Sequence, residues 1–144
     1  MNDKFVVGFD GSEAARRALD FAMDRATAQG ATVVIAHVLE WSPYSFLTPT
    51  ELEERHMRRK EELNRAETSI ITPAKASVEG KGVPVETVLR YGHIADTLCE
   101  VAEKMEATQI FIGRNGHSRF GSRVFGSVAG NLVQTAPVPC TIVP

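Results

Sequence analysis

Cysteine is nearly missing from this chain, long apolar runs are missing altogether, and neither sign of charge dominates; each shortage closes a class of function. The only two cysteines are Cys99, in a helical pattern, and Cys140, in an apolar strand pattern. Both are expected as small buried hydrophobes, not as a disulfide pair or a metal site, and a reducing cytoplasm is the expected compartment. No run of about 20 apolar residues exists to span a bilayer. The N-terminal MNDKFVVGFDGSEAARR lacks a basic segment followed by an apolar core, so no secretory signal is expected. Sixteen Lys and Arg against eighteen Asp and Glu leave a net charge of −2. That balance gives no footprint for nucleic acid and no attraction to an anionic membrane. A G-x-x-x-x-G-K-[ST] phosphate loop with its lysine is also absent. What is present is an ordinary globular balance, 43% apolar and 24% charged over 144 residues, which predicts one domain over residues 1–144.

Periodicity predicts strands alternating with helices. KFVVGF (Lys4 to Phe9) is a β-branched and aromatic run ending at Asp10-Gly11-Ser12. Ser12 is placed to cap a helix, Ala15, Ala18, Leu19, Ala22 and Ala26 recur at helical spacing, and Gly30 closes it. ATVVIAHVLE (Ala31 to Glu40) is apolar on both alternations as far as Val38, the mark of a strand buried on both faces of a parallel sheet. WSPYSFLTP reads as a loop, and the charged ELEERHMRRKEELNRAE behind it as a solvated helix with Glu54 and Arg58 on one face. After Gly80 and Gly82 come a strand (VPVETVLRYG), a helix (HIADTLCEVAEKM), a strand (QIFIG), a glycine-rich loop, a helix around SVAGNLVQTA and a last strand, CTIVP. This order implies right-handed crossovers and a mostly parallel sheet, an α/β fold.

The loop GRNGHSRFGSRVFGS (Gly113 to Ser127) places glycines and cations where an apolar strand stops. In open α/β sheets, ligands sit outside the carboxyl ends of the strands. Gly113 and Gly116 let backbone N–H groups come close to a ligand. Gly126-Ser127 opens a helix, whose free N–H groups and dipole favour an anion. Arg114, His117, Arg119 and Arg123 are available to add positive charge, so phosphate is the expected guest.

Gly113, two residues, Gly116, nine residues, then Gly126-Ser127 resembles the glycine pattern of the ATP-binding subgroup of the universal stress protein family. The resemblance extends to VVGFDGS, to AHV at the end of the second strand, and to the APVPCTIV ending. It implies an open five-stranded sheet in the order 3-2-1-4-5 with helices on both faces, and an adenine nucleotide, ATP with Mg²⁺, at the ends of strands one and four. By position it implies that Asp10 contacts the nucleoside and Val38 the adenine. It assigns Gly113 and Gly116 to the ribose and phosphates, and Gly126 and Ser127 to phosphate with Val128 close behind, while Arg114 and His117 join the expected site as cations beside those glycines. It further implies a homodimer through the last strand, around Thr141 to Val143, and an unnamed protein partner. The chain departs from the pattern at His93 and at Thr108-Gln109, neither of them in the nucleotide motif; Arg114 and Asn115 fill its variable positions, and Gly130 stands where the resemblance implies a frequent acidic residue, positions that bear on affinity.

Several of these residues carry a plainer reading as well. Asp10-Gly11 is a common turn pair, Ser12 a helix cap, and Val38 a core residue of any parallel sheet. His37 reads as a satisfied strand histidine, with no partners for a catalytic triad. His117, Arg119 and Arg123 serve equally as solvated loop cations, and Trp41, Tyr44 and Phe46 either cover an adenine or fold back on the core. Beyond Asp10 no carboxylate is placed to hold Mg²⁺ or orient water, so no catalytic residue is assigned. Three functions therefore stay open on the sequence: an ATP-binding stress-response regulator, a slow ATPase or nucleotide hydrolase, and a nucleotide-independent dimeric scaffold.

Overall fold

The run FVV supplies the centre of β1 (Lys4–Gly8), where Phe5, Val6 and Val7 are all buried because both faces of the strand are covered. A computed structural model describes residues 2–40, 48–116 and 126–144. The segment holding Trp41, Tyr44 and Phe46, and the loop cations His117, Arg119 and Arg123, lie outside the described residues. Behind β1, Ser12 caps α1 (Glu13–Gln29) as expected: its Oγ accepts from the Ala15 N–H at 3.1 Å. Gly30 ends the helix in the left-handed conformation, at φ 71°, which costs a glycine little. The buried stripe of α1 is mostly alanine, with Leu19 and Met23 between, and such short side chains let the helix lie close on the sheet.

The remaining strands are β2 (Thr32–Glu40), β3 (Val85–Gly92), β4 (Gln109–Gly113) and β5 (Cys140–Val143). They pair in parallel, in the order β3-β2-β1-β4-β5. Val7 stands between Ile35 of β2 and Phe111 of β4, so β1 and β4 are neighbours and their carboxyl ends open side by side. Alternation along the strands divides the core in two. On one face Phe5, Val7, Ile35 and Phe111 pack under α1 and the helix before β3. On the other, Val6, Val34, Ile110 and Ile112 pack under α4 (Ile94–Lys104) and α5 (Ser127–Thr135). Each such side chain taken out of water contributes about 1.5–3 kcal/mol before conformational entropy is counted.

The charged stretch forms α2 (Pro49–Ala66), opened by a capping box between Thr48 and Glu51. Its solvated character is as expected. Arg55, Arg59 and Leu63 are only half-buried, while most of the helix is exposed, and Glu54 pairs with Arg58 at 3.8 Å. Tyr91 of β3 anchors it, donating its hydroxyl to Glu62 Oε2 at 2.5 Å with the Arg59 guanidinium 5.4 Å from its ring. Burial, reinforced by the Glu62 carboxylate, pushes the Tyr91 hydroxyl up to about 12. A π-helical turn, Glu67–Ile71, then carries the chain into α3 (Thr72–Val78) and brings Ile71, Ala74 and Val78 into the core.

The cysteines differ from expectation. Cys99 and Cys140 are both free and half-buried, because they flank the apolar layer under α4 and α5 and are not enclosed by it. Cys99 Sγ donates to the Thr135 carbonyl at 3.8 Å. Burial, and then the neighbouring Cys99, pushes the Cys140 thiol up.

Candidate functional site

At the carboxyl ends of β1, β2 and β4 the chain leaves a crevice of about 460 Å³, a size suited to a small organic ligand. Three connections shape it. After β1, the Asp10 carboxylate accepts the Ser12 N–H at 2.9 Å, which fixes the turn and leaves Asp10 on the crevice wall. After β4, Arg114 continues the sheet by donating its N–H to the Val143 carbonyl at 2.8 Å. The loop that follows is closed at its base, where the Gly126 N–H donates to the Arg114 carbonyl at 2.9 Å. This bond sets the start of α5 against the end of β4.

Eight sequence-predicted residues come together here: Asp10, Val38, Gly113, Arg114, Gly116, Gly126, Ser127 and Val128 all line the crevice. His117, the ninth, lies outside the described residues. Four separate stretches of chain supply the eight, and the strand order joins them.

The glycines are required for different reasons. A Cβ on Gly113 would lie 2.8 Å from the backbone carbonyl carbon of Ala14, so this glycine first lets β4 end against α1. A Cβ on Gly116 would lie 2.9 Å from Asp10 Oδ2, so Gly116 keeps the loop close to the carboxylate. At Gly126 the nearest atom would be the Arg114 carbonyl oxygen, at 3.2 Å. Gly126 is also the N-cap of α5, and among the described residues no side chain caps that helix. Its first N–H groups, at Ser127 and Val128, belong to residues of the crevice wall. An uncapped helix start beside Arg114 is a fitting cradle for phosphate oxygens.

The wall under β2 and α4 is apolar: Ala36, Val38, Ile94 and Leu98 line it, joined by Ile112 of β4. This surface fits the face of a flat heterocycle and offers it no side-chain hydrogen bond. Sequence reasoning singled out Val38 alone. Ala36 shares its face by strand alternation, and Ile94 and Leu98 stand one helical turn apart, a signal that was legible once α4 was placed over β2. Glu40, at the end of β2, also lines the crevice and was missed as the polar terminus of an apolar run.

His37 is half satisfied, where full satisfaction was expected. Its Nδ1 lies 2.6 Å from the Phe9 carbonyl oxygen, which can only accept, so Nδ1 carries the proton. Nε2 is then an acceptor, buried and without a partner among the described residues. The hydrogen bond ties the ends of β1 and β2 together, a positioning role.

Among the described residues no group of three or more His, Cys, Asp or Glu is arranged to hold a metal ion. No helix of the described residues is long and apolar enough to cross a membrane.

Comparison with known proteins places this geometry. A universal stress protein of Thermus aquaticus is 33% identical over 141 residues, covering 96% of each chain. The universal stress protein UspA from Lactobacillus plantarum superposes with a TM-score of 0.84 at 23% identity, over 99% of this chain and 97% of that one. A universal stress protein solved in complex with cAMP is 26% identical, with a TM-score of 0.65 over 99% of this chain and 97% of its own. The model of the universal stress protein family matches residues 1–144. With the five parallel strands in the order 3-2-1-4-5 and the crevice at their carboxyl ends, the chain belongs to the universal stress protein family.

Proposed function

We propose that this chain binds an adenine nucleotide, ATP with Mg²⁺, in the crevice and acts as a homodimeric regulator of the stress response, residues 1–144 working as one domain. One observation carries the reading: eight candidate residues, scattered from Asp10 to Val128 in the sequence, line a single crevice. The apolar wall around Val38 suits the base and Asp10 suits the sugar hydroxyls. Gly113, Arg114 and Gly116, with His117 following in sequence, suit the ribose and phosphates. Gly126, Ser127 and Val128 suit the terminal phosphates through the uncapped start of α5. A relative that holds cAMP supports the choice of an adenine nucleotide.

Regulation follows from differential binding: a nucleotide that favours one arrangement of the loop after β4 shifts the protein toward it, by no more than its preference for that arrangement. The dimer is proposed through β5, the last strand of the sheet, which offers a second copy its outer edge.

Calorimetric titration with ATP and Mg²⁺, with AMP and GTP alongside, tests the reading on protein first checked for carried-over nucleotide. Saturable ATP binding, weaker for GTP, is expected, and phosphate release in the same samples reports any turnover. Folded, nucleotide-free protein that gives neither heat nor a thermal shift with ATP overturns it in favour of a nucleotide-independent scaffold.

A further inference from the structure

The crevice has one feature that neither phosphate binding nor sheet packing uses. By strand alternation Ala36, Val38 and Glu40 share a face of β2, and all three line the crevice. Ala36 and Val38 are buried in the layer under α4 and α5, whereas Glu40, the last residue of the strand, is exposed at the rim. The Glu40 carboxylate makes no ion pair or hydrogen bond among the described residues, although the Glu40 backbone pairs with Gly92 in the sheet. Of the residues that β2 and α4 give to the lining, it alone is a carboxylate.

Position decides what such a group can read. In the order β3-β2-β1-β4-β5, β1 lies between β2 and β4. Neighbouring strands are about 4.8 Å apart, so β2 ends roughly 10 Å from β4. The phosphate-suited backbone stands at the β4 end, with Arg114, Gly126 and Ser127. A nucleotide laid from there across Asp10, at the end of β1, rests its base on the apolar wall at Ala36 and Val38. The outer edge of that base then comes to Glu40.

Resting on the nucleotide reading above, we propose that Glu40 is a specificity-determining residue that selects purines carrying an amino donor, and not a carbonyl acceptor, at position 6. A carboxylate only accepts hydrogen bonds. It therefore favours the exocyclic 6-amino group of adenine and opposes the 6-oxo group of hypoxanthine, whose lone pairs face its own. Among the described residues, the other side chains that β2 and α4 give to the wall do not compensate: those of Ala36, Val38, Ile94 and Leu98 are hydrocarbon, and the proton of His37 is committed to Phe9.

The test compares ATP with inosine triphosphate, which differs at the base edge and is unchanged in ribose and phosphates. Both are titrated with Mg²⁺ into the wild-type protein, Glu40→Gln and Glu40→Ala. The wild type is expected to prefer ATP by about tenfold, as for one charge-assisted hydrogen bond at a partly wet rim. Glu40→Ala should bring the two affinities within about threefold of each other. Glu40→Gln, whose amide both donates and accepts, should also lose most of the preference. Because the side chain is exposed, unfolding midpoints should match across all three proteins. A preference for ATP that survives in Glu40→Ala overturns the assignment of Glu40 and leaves the nucleotide site standing. Failure of the wild type to bind either nucleotide overturns both.

Discussion

A methyl group placed on Gly113 would sit 2.8 Å from the backbone carbonyl carbon of Ala14 and 2.9 Å from its Cβ. β4 therefore ends in direct contact with the first turn of α1, with no room for a side chain between them. Gly113→Ala should destabilise the fold by about 1–3 kcal/mol, the usual cost of overpacking, since the obstacle is backbone and cannot rotate away. Urea unfolding of the nucleotide-free protein measures this. An unchanged midpoint would mean that α1 shifts at little cost.

Gly116 should behave differently. Its nearest obstacle is the tip of the Asp10 side chain, which can move. Gly116→Val is expected to lower the unfolding midpoint less than Gly113→Ala does, by no more than the loss of the Asp10–Ser12 turn bond, while displacing the carboxylate and crowding the crevice, weakening ATP by about tenfold or more. Asp10→Ala should weaken binding in the same sense. If the two are combined, the losses should fall short of additive, because the first change already disables the group removed by the second.

Ser12 is buried and its Oγ caps α1. Ser12→Ala should lower stability by about 1 kcal/mol through the cap alone, as read by denaturant unfolding. Ser12→Asp, which keeps an acceptor at the cap, should recover part of that loss. A fall much larger than the cap value would point to the burial of Ser12 in the crevice wall.

The contact between Tyr91 and Glu62 predicts a change at alkaline pH. The Tyr91 hydroxyl is raised from 10.0 in the unfolded chain to about 12 in the folded protein, so the folded state holds its proton more tightly. Its contribution is fully present below about pH 10 and is lost as pH rises toward about 12. Tyr91→Phe should thus be less stable than wild type at neutral pH, and the difference should shrink across that window. Thermal unfolding midpoints measured at several alkaline pH values check both the sign and the window.

How much of this was legible in the sequence depends on how local the cause is. QIFIG gives β4 to the residue, and Ser12 and Gly30 bound α1 as expected, because strand patterning and helix capping act within a few residues. The π-helical turn at Glu67–Ile71 was not legible. No composition rule marks it, and it is where the helical segment passes from the exposed face of α2 to the buried Ile71 of α3's approach to the sheet. VPVETVLRYG contains β3, but the strand starts at Val85, after Pro84, whose carbonyl already serves Val33. At the crevice, periodicity located each segment. Only the strand order, which the family resemblance implied, brought Asp10 of one connection beside Gly116 of another. The half-buried cysteines and the orphan Nε2 of His37 depend on packing between distant elements, which alternation and helical spacing do not encode.

The bond from the Gly126 N–H to the Arg114 carbonyl separates two evolutionary problems. It fixes the start of α5 relative to β4 whatever the length of chain strung between the two residues. Closing a longer loop at such a neck grows costlier only slowly, by about 0.6 kcal/mol for each doubling of length. Descendants of this fold are therefore free to lengthen or rewrite the segment between His117 and Gly126 and so acquire new recognition there. The helix start behind it keeps its aim.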